Sequence, residues 1–161
     1  MNRPTLADAV VIDFETHMDK KAKYTLEKMS TRAYVLDPRF DILSIGIAVG
    51  KDEPLFFHKF GRDGGGLDDA KVLLEQAAAA GKWLVAHNTD FDGLILSKAW
   101  GVEFKHVFDT IGFLRCLGFA APLENGARAL GREKMAPPIF TERSLLEPET
   151  RNVSTRLRQR V

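Results

Sequence analysis

The chain has very little cysteine and no long hydrophobic run. Cys116 is the only cysteine among 161 residues, so an internal disulfide and a cysteine-based metal cluster are both excluded. Cys116 lies in the apolar run GFLRCLGF and is predicted to be a small core residue. No stretch approaches the roughly 20 apolar residues of a membrane span, and the first residues lack the apolar segment of a secretory signal. We therefore expect a cytoplasmic protein without a membrane partner.

Net charge is also small. The 23 Lys and Arg residues nearly balance the 22 Asp and Glu residues, which leaves a formal net charge of +1, so overall charge predicts no partner. The distribution is uneven, because no Asp follows Asp109 and no Glu follows Glu149. The last residues carry unopposed arginines, which contact phosphates in some proteins and are simply solvated in others. These arginines are Arg151, Arg156, Arg158 and Arg160.

Apolar strand-like runs and helix-like segments succeed one another along the chain. The three runs VVIDF, DILSIGIAVG and EPLFFHKF come first and predict consecutive strands that are antiparallel neighbours. The polar segment between the first two is predicted to cross the surface, with room for a short helical turn. DDAKVLLEQAAAAG, ending at the potential C-cap Gly81, then predicts a helix. The strand KWLVAH precedes a helix that is predicted to begin at the N-cap Asn88 and to end at Gly101. The strand HVFD precedes a further helix, and PLENGARALG predicts a last one. This order predicts one α/β domain over residues 1–161, irregular or truncated from about residue 135, where prolines interrupt the apolar spacing.

Two carboxylates interrupt the first strand. Side chains alternate along a strand, so Asp13 and Glu15 are predicted to share one face while Phe14 points to the other. Two like charges this close favour a hard divalent cation such as Mg²⁺ or Mn²⁺. The pair alone leaves two alternatives open, a solvated pair on a half-exposed strand and the acid and nucleophile of a glycosidase.

A second polar group follows the fourth strand. LVAHNTDFD places Asn88 and Asp92 one helical turn apart, so Asp92 faces back toward the strand ends. The crevice at the carboxyl ends of the strands is where open α/β sheets hold their ligands. We therefore expect Asp13, Glu15 and Asp92 to meet there.

The motifs V-I-D-F-E-T, A-H-N-x-x-F-D, F-D-T-I-G-F-L-R-C-L-G and L-E-N-G-A-R-A-L-G occur in this order. The combination, over residues 9–134, resembles the DnaQ-like 3′→5′ exonucleases of the DEDD superfamily. The likeness is greatest to the proofreading domains of bacterial and phage family A DNA polymerases. It implies a ribonuclease H-like fold, a mixed sheet of about five strands with the first three antiparallel, flanked by helices. It also implies a two-metal phosphodiester hydrolase that releases nucleoside monophosphates from a 3′ end.

The resemblance also assigns roles. Asp13 would bridge two cations, Glu15 would hold the cation that positions the attacking water, and Asp92 would serve the cation on the leaving-group side. The predicted substrate-binding residues adjoin these carboxylates: Phe14, Thr16, Asn88 and Phe91. Asn88 is alternatively only a helix cap, Phe91 a core residue and His87 structural, and Asp109 matches a helix-capping Asp of the family.

The match breaks near the C-terminal end, where family members carry a fourth carboxylate in a Y-x-x-x-D or H-x-x-x-D motif. This chain has no Asp after Asp109 and no Tyr after Tyr34. Glu142, Glu147, Glu149 or a second subunit would have to replace that Asp. The alternative is a catalytically weakened relative that binds nucleic acid or a protein without efficient cleavage.

The expected partner is the 3′ end of single-stranded DNA, and proofreading would require a separate DNA polymerase. Because net charge is near zero, DNA binding would need a local basic strip and should weaken with salt. The candidates for that strip are Lys20, Lys21, Lys23, Arg128, Arg132 and Lys134.

Overall fold

The computed structural model describes residues 5–61, 65–119 and 122–131. In these ranges five strands form one sheet, and they are β1 (Ala9–Thr16), β2 (Ile42–Val49), β3 (Leu55–His58), β4 (Trp83–Ala86) and β5 (His106–Asp109). The helices are α1 (Thr31–Val35), α2 (Leu67–Ala79), α3 (Thr89–Ile95), α4 (Thr110–Cys116) and α5 (Leu123–Ala129). The predicted irregular segment from about residue 135 lies outside the described ranges.

The sheet has the order β3-β2-β1-β4-β5. β1 pairs antiparallel with β2, and β2 pairs antiparallel with β3. β4 runs parallel to both β1 and β5. The predicted mixed five-stranded sheet with three antiparallel strands is therefore confirmed. This order places β1 in the middle, so its end adjoins the segment that leaves β4.

One face of the sheet carries the core. Val10, Ile12 and Phe14 of β1 are buried, and the β2 partners of the last two, Ile47 and Ile45, are buried beside them. The intervening residues of β1 are exposed. Burial of each large apolar side chain stabilises the fold by about 1.5–3 kcal/mol. The alternation predicted from the sequence thus puts the acidic pair on the opposite, exposed face.

Helix α2 confirms the prediction from DDAKVLLEQAAAAG. Its buried residues Ala70, Leu74 and Ala77 recur at helical spacing, as an amphipathic helix requires. The helix ends before Gly81, whose φ of 72° lies in the left-handed region that glycine adopts without strain.

The segment after β4 departs from a regular helix. The sequence predicts one helix from Asn88 to Gly101, but α3 ends at Ile95 and the chain continues as a π-helical turn, Leu96–Trp100. That turn buries Leu96 and sets Trp100 edge-on to Phe14, with ring centroids 5.1 Å apart. The π-helical turn is wider than an α-helix, and it packs Trp100 against Phe14 of β1. The periodicity of the sequence does not predict this change of helix type.

Cys116 corrects another prediction. It is exposed at the end of α4, so its assignment to the core is wrong. Leu114 is the buried residue of this helix, and Cys116 lies on a different side of the same turn. No helix in the described ranges combines the length and apolar character needed to cross a bilayer.

Candidate active site

The site begins at the carboxyl end of β1. Asp13 and Glu15 are both exposed, while Phe14 between them is 5% exposed and packs against Trp100. The predicted shared face of the two carboxylates is therefore present. The ring of Phe14, predicted to bind substrate, lies in the core, so Phe14 offers the site its backbone.

Asp92 reaches the same strand from α3. Its side chain is 3% exposed, and Oδ1 accepts a hydrogen bond from the backbone N–H of Phe14 at 3.3 Å. Phe14 and Asp92 are 78 positions apart in sequence. They come together because β4 runs parallel beside β1 and α3 begins just after the end of β4. The structure brings Asp92 to the residue that separates Asp13 from Glu15.

The electrostatics at Asp92 are unfavourable to a carboxylate. The pKa of Asp92 is raised to about 7, and burial is the main cause. The hydrogen bond from Phe14 lowers this pKa, and the negative charge of nearby Asp13 raises it. A buried charge of this kind needs an opposite charge or a proton. The arrangement therefore favours either protonation of Asp92 or a cation beside it.

The carboxylates do not form a complete metal cluster in the described part of the chain. Within it, no three His, Cys, Asp or Glu side chains are grouped closely enough to hold an ion. The candidate replacements Glu142, Glu147 and Glu149 lie outside the described residues. The donors present are oxygen only, which suits Mg²⁺ in kind but falls short of a full ligand set.

Asn88 occupies an unusual backbone position. Its φ of 85° is left-handed, and its side chain makes no capping hydrogen bond to α3. Asn88 thus occupies the predicted N-cap position of α3, but without the side-chain hydrogen bond that a cap usually makes. Its backbone N–H instead donates to Asp109 Oδ1 at 3.2 Å.

Asp109 caps the next helix, as its motif suggested. The same Oδ1 accepts from the backbone N–H of Ile111 at 2.9 Å, at the start of α4. Alongside it, His87 Nδ1 lies 2.8 Å from Thr110 Oγ1, which in turn donates to the carbonyl of Ala86 at 3.2 Å. These contacts join the ends of β4 and β5 and give His87 a structural role.

Phe91 and Thr16 complete the set of predicted residues. Phe91 is half-buried and packs against the core, with its ring 6.1 Å from that of Tyr34. Thr16 is half-buried, and its Oγ1 lies 2.9 Å from the hydroxyl of Tyr34. Both side chains thus meet Tyr34, which sequence reasoning did not select. Both tyrosines of the chain occur in the polar segment between β1 and β2. This concentration is the sequence feature that could have identified Tyr34.

The predicted basic strip is only partly described. Lys20, Lys21 and Lys23 are exposed. Arg128 is also exposed, but its guanidinium bonds Glu124 at 2.8 Å on the same helix, which reduces its local positive charge. Arg132 and Lys134 lie outside the described residues.

The chain resembles known proteins in structure alone. No protein-family model and no curated protein sequence matches it. NrnC of Brucella melitensis is similar with a TM-score of 0.55 and 18% identity, over 92% of this chain and 66% of NrnC. NrnC with bound Mg²⁺ and NrnC bound to pGG each give a TM-score of 0.52 and 19% identity, over 89% of this chain and 67% of that one.

A further similarity is to a chain in the structure of the yeast NOT1 MIF4G domain co-crystallized with CAF1. Its TM-score is 0.53 with 13% identity, over 84% of this chain and 71% of that one. The chain thus spans about two thirds of the length of NrnC. At such low identity these likenesses concern the fold, and with the strand order they establish that the chain has a ribonuclease H-like α/β fold.

Proposed function

We propose that the chain is a divalent-cation-dependent 3′→5′ exonuclease. It hydrolyses phosphodiester bonds at the 3′ end of single-stranded DNA and releases nucleoside monophosphates. One observation carries this proposal: buried Asp92 binds the backbone of Phe14 at 3.3 Å, between the exposed carboxylates Asp13 and Glu15. The shared fold with NrnC, solved with bound Mg²⁺ and bound to pGG, supports it.

The proposed cofactor is a pair of divalent cations, Mg²⁺ or Mn²⁺. Bound cations of this kind activate water and neutralise charge on the attacking and leaving oxygens of a phosphodiester. Asp13 and Asp92 would hold them, since the charge of Asp13 already raises the pKa of Asp92 and a cation would relieve that repulsion. Glu15, two residues along the same face, would supply a further oxygen.

The remaining ligands must come from elsewhere. Because no three-residue cluster occurs in the described ranges, we assign the missing donors to the substrate phosphate, to Glu142, Glu147 or Glu149, or to a second subunit. A separate DNA polymerase is the partner that a proofreading role would require.

We assign the substrate contacts to residues that neighbour these carboxylates. Thr16 at the end of β1 would face the terminal nucleotide, and Phe91 would form an apolar wall beside it. Asn88 would offer its side-chain amide, since that amide makes no cap within α3. Phe14 would contribute its backbone only.

A second candidate function rests on the incomplete carboxylate set. With no three ligands grouped among the residues that the structure describes and no Asp after Asp109 in the sequence, the same crevice would bind a nucleic acid or a protein partner and cleave inefficiently. Positioning and charge stabilisation supply most of the rate in phosphoryl chemistry, so loss of one ligand would lower the rate far more than the affinity.

A 5′-labelled single strand tests the two functions. Incubation with Mg²⁺ or Mn²⁺ should shorten the strand from its 3′ end, giving a ladder on a denaturing gel. Asp13→Ala should abolish the ladder, with a loss in rate of at least about 100-fold. A parallel RNA strand establishes the preferred sugar.

The matched control is Asp90→Ala, because Asp90 is exposed on the same helix as Asp92. It should cleave as the unchanged protein does. A ladder that persists in Asp13→Ala would indicate a contaminating nuclease and refute the assignment. Tight binding without a ladder would support the second candidate instead.

A further inference from the structure

Tyr34 lies beneath the end of β1. It is 2% exposed, and its hydroxyl contacts two successive residues of the strand end. One contact is Thr16 Oγ1 at 2.9 Å, and the other is the backbone carbonyl of His17, to which the hydroxyl donates. Glu15 directly precedes these two residues, so Tyr34 holds the end of β1 next to the candidate catalytic carboxylates.

The two contacts determine the direction of the hydrogen bonds. A carbonyl oxygen only accepts, and a phenol has one proton to donate. Tyr34 commits that proton to the carbonyl of His17, so the bond to Thr16 must use the proton of Thr16. The Thr16 hydroxyl is then left with lone pairs alone, and it can only accept a hydrogen bond from a ligand.

Neighbouring aromatic residues hold Tyr34 in place. The ring of Tyr24 stacks on it at 4.5 Å with an interplanar angle of 13°, and the Tyr24 hydroxyl donates to the Tyr34 carbonyl at 3.1 Å. Burial raises the pKa of Tyr24 to about 12, so Tyr24 keeps its donating proton across the physiological range. The ring of Phe91, next to Asp92 in α3, lies 6.1 Å from that of Tyr34. Tyr34 therefore contacts both elements that supply the site.

We propose that Tyr34 is a positioning residue that makes Thr16 an obligate hydrogen-bond acceptor for the hydroxyl at the end of a bound strand. This inference rests on the proposed function and adds a selectivity to it. A 3′-hydroxyl end can donate to Thr16, whereas a 3′-deoxy end cannot donate and a 3′-phosphate end presents acceptor oxygens. The site should thus select strands that end in a hydroxyl, through a residue that never touches the strand.

Binding of three otherwise identical labelled strands tests the inference. They end in a 3′-hydroxyl, a 3′-hydrogen or a 3′-phosphate, and Ca²⁺ replaces Mg²⁺ because it takes the same oxygen ligands while cleavage is slowed. The unchanged protein should prefer the 3′-hydroxyl over the 3′-hydrogen strand by about fivefold, the value of one hydrogen bond. Tyr34→Phe, which keeps the ring contacts, should reduce that ratio to near one.

Further variants distinguish the positioning of Thr16 by Tyr34 from a general loss of protein stability. Tyr24→Phe also removes one buried phenol hydroxyl but touches neither Thr16 nor the His17 carbonyl, so it should keep the preference. Thr16→Val should lose the preference and Thr16→Ser should retain it, and both test the acceptor directly if Tyr34→Phe fails to fold. In the double variant Tyr34→Phe with Thr16→Val, the two losses should not add, since both act through one hydroxyl.

The outcomes are distinguishable. Binding without a preference, or a preference that survives in both Tyr34→Phe and Thr16→Val, overturns the inference and leaves the proposed function standing. Failure of the unchanged protein to bind any of the strands overturns the proposed function and the inference with it.

Discussion

Asp92 is a carboxyl group that the fold buries at a cost. Its pKa is raised to about 7 from an ordinary value of 3.8, with burial as the main cause. Between these two pH values the folded protein holds a proton that the unfolded chain has released. Stability must therefore fall as pH rises through this window.

We predict this fall in metal-free buffer. At about 1.4 kcal/mol per pKa unit, the free energy of unfolding should drop by at most about 4 kcal/mol between pH 4 and pH 7. Asp92→Asn should remove that drop, because an amide does not titrate and still accepts from Phe14. Urea denaturation in EDTA at several pH values measures the effect.

Asp90→Asn is the control at the residue scale, since that side chain is exposed on the same helix. It should follow the profile of the unchanged protein. If Asp92→Asn and the unchanged protein lose stability in parallel over this window, Asp92 does not carry the raised pKa.

At the scale of elements, the turn from β4 into α3 positions Asp92. Asn88 adopts a φ of 85° there, a conformation that costs an ordinary L-residue roughly 1–2 kcal/mol and glycine almost nothing. Its N–H is anchored by Asp109, which also caps α4. One carboxylate thus links the turns that follow β4 and β5.

We predict different effects on stability for two substitutions of Asn88 in this turn. Asn88→Ala should lower the free energy of unfolding by about 1 kcal/mol, and Asn88→Gly should leave it unchanged or raise it slightly. Both remove the side-chain amide, so both should weaken binding of a single strand about fivefold. Chemical denaturation measures the effect of the left-handed backbone at Asn88, and titration with a single strand measures the contact of its side-chain amide. Full binding by Asn88→Gly would limit Asn88 to its backbone role.

At the scale of the whole molecule, the candidate site is assembled from two segments that are far apart in the sequence. β1 supplies Asp13 and Glu15, and α3 supplies Asp92 through the parallel pairing of β1 with β4. A cation held by both elements binds the folded state alone, so it should stabilise the entire fold.

We predict that Mg²⁺ raises the midpoint of thermal unfolding. At ten times its Kd the ion should add about 1.4 kcal/mol, equivalent to about 3–6 °C for a domain of this size. Asp13→Ala should abolish most of that shift, and Asp90→Ala should not. Calorimetry with Mg²⁺ and with EDTA measures it, and an equal shift in Asp13→Ala would place the ion elsewhere.

Local patterns were sufficient for much of the architecture. The apolar runs of β1, β2 and β4 and the amphipathic spacing of α2 produced the right elements, because strand and helix periodicity are properties of short segments. The same patterns failed at Cys116 and at the π-helical turn after Ile95, where the packing of one side of a helix decides the outcome. The exposure of Cys116 and the π-helical turn are both set by contacts with residues that are distant in the sequence.

By itself, the sequence determined the alternation that sets Asp13 and Glu15 on one face and the order of strands that makes a mixed sheet. Only the tertiary structure decided that Asp92 is buried against Phe14 and that Tyr34 lies under Thr16. The physical reason is that the local backbone sets the direction of a side chain. Its burial, and which hydroxyl donates in a hydrogen bond, depend instead on atoms that distant segments of the chain bring into contact.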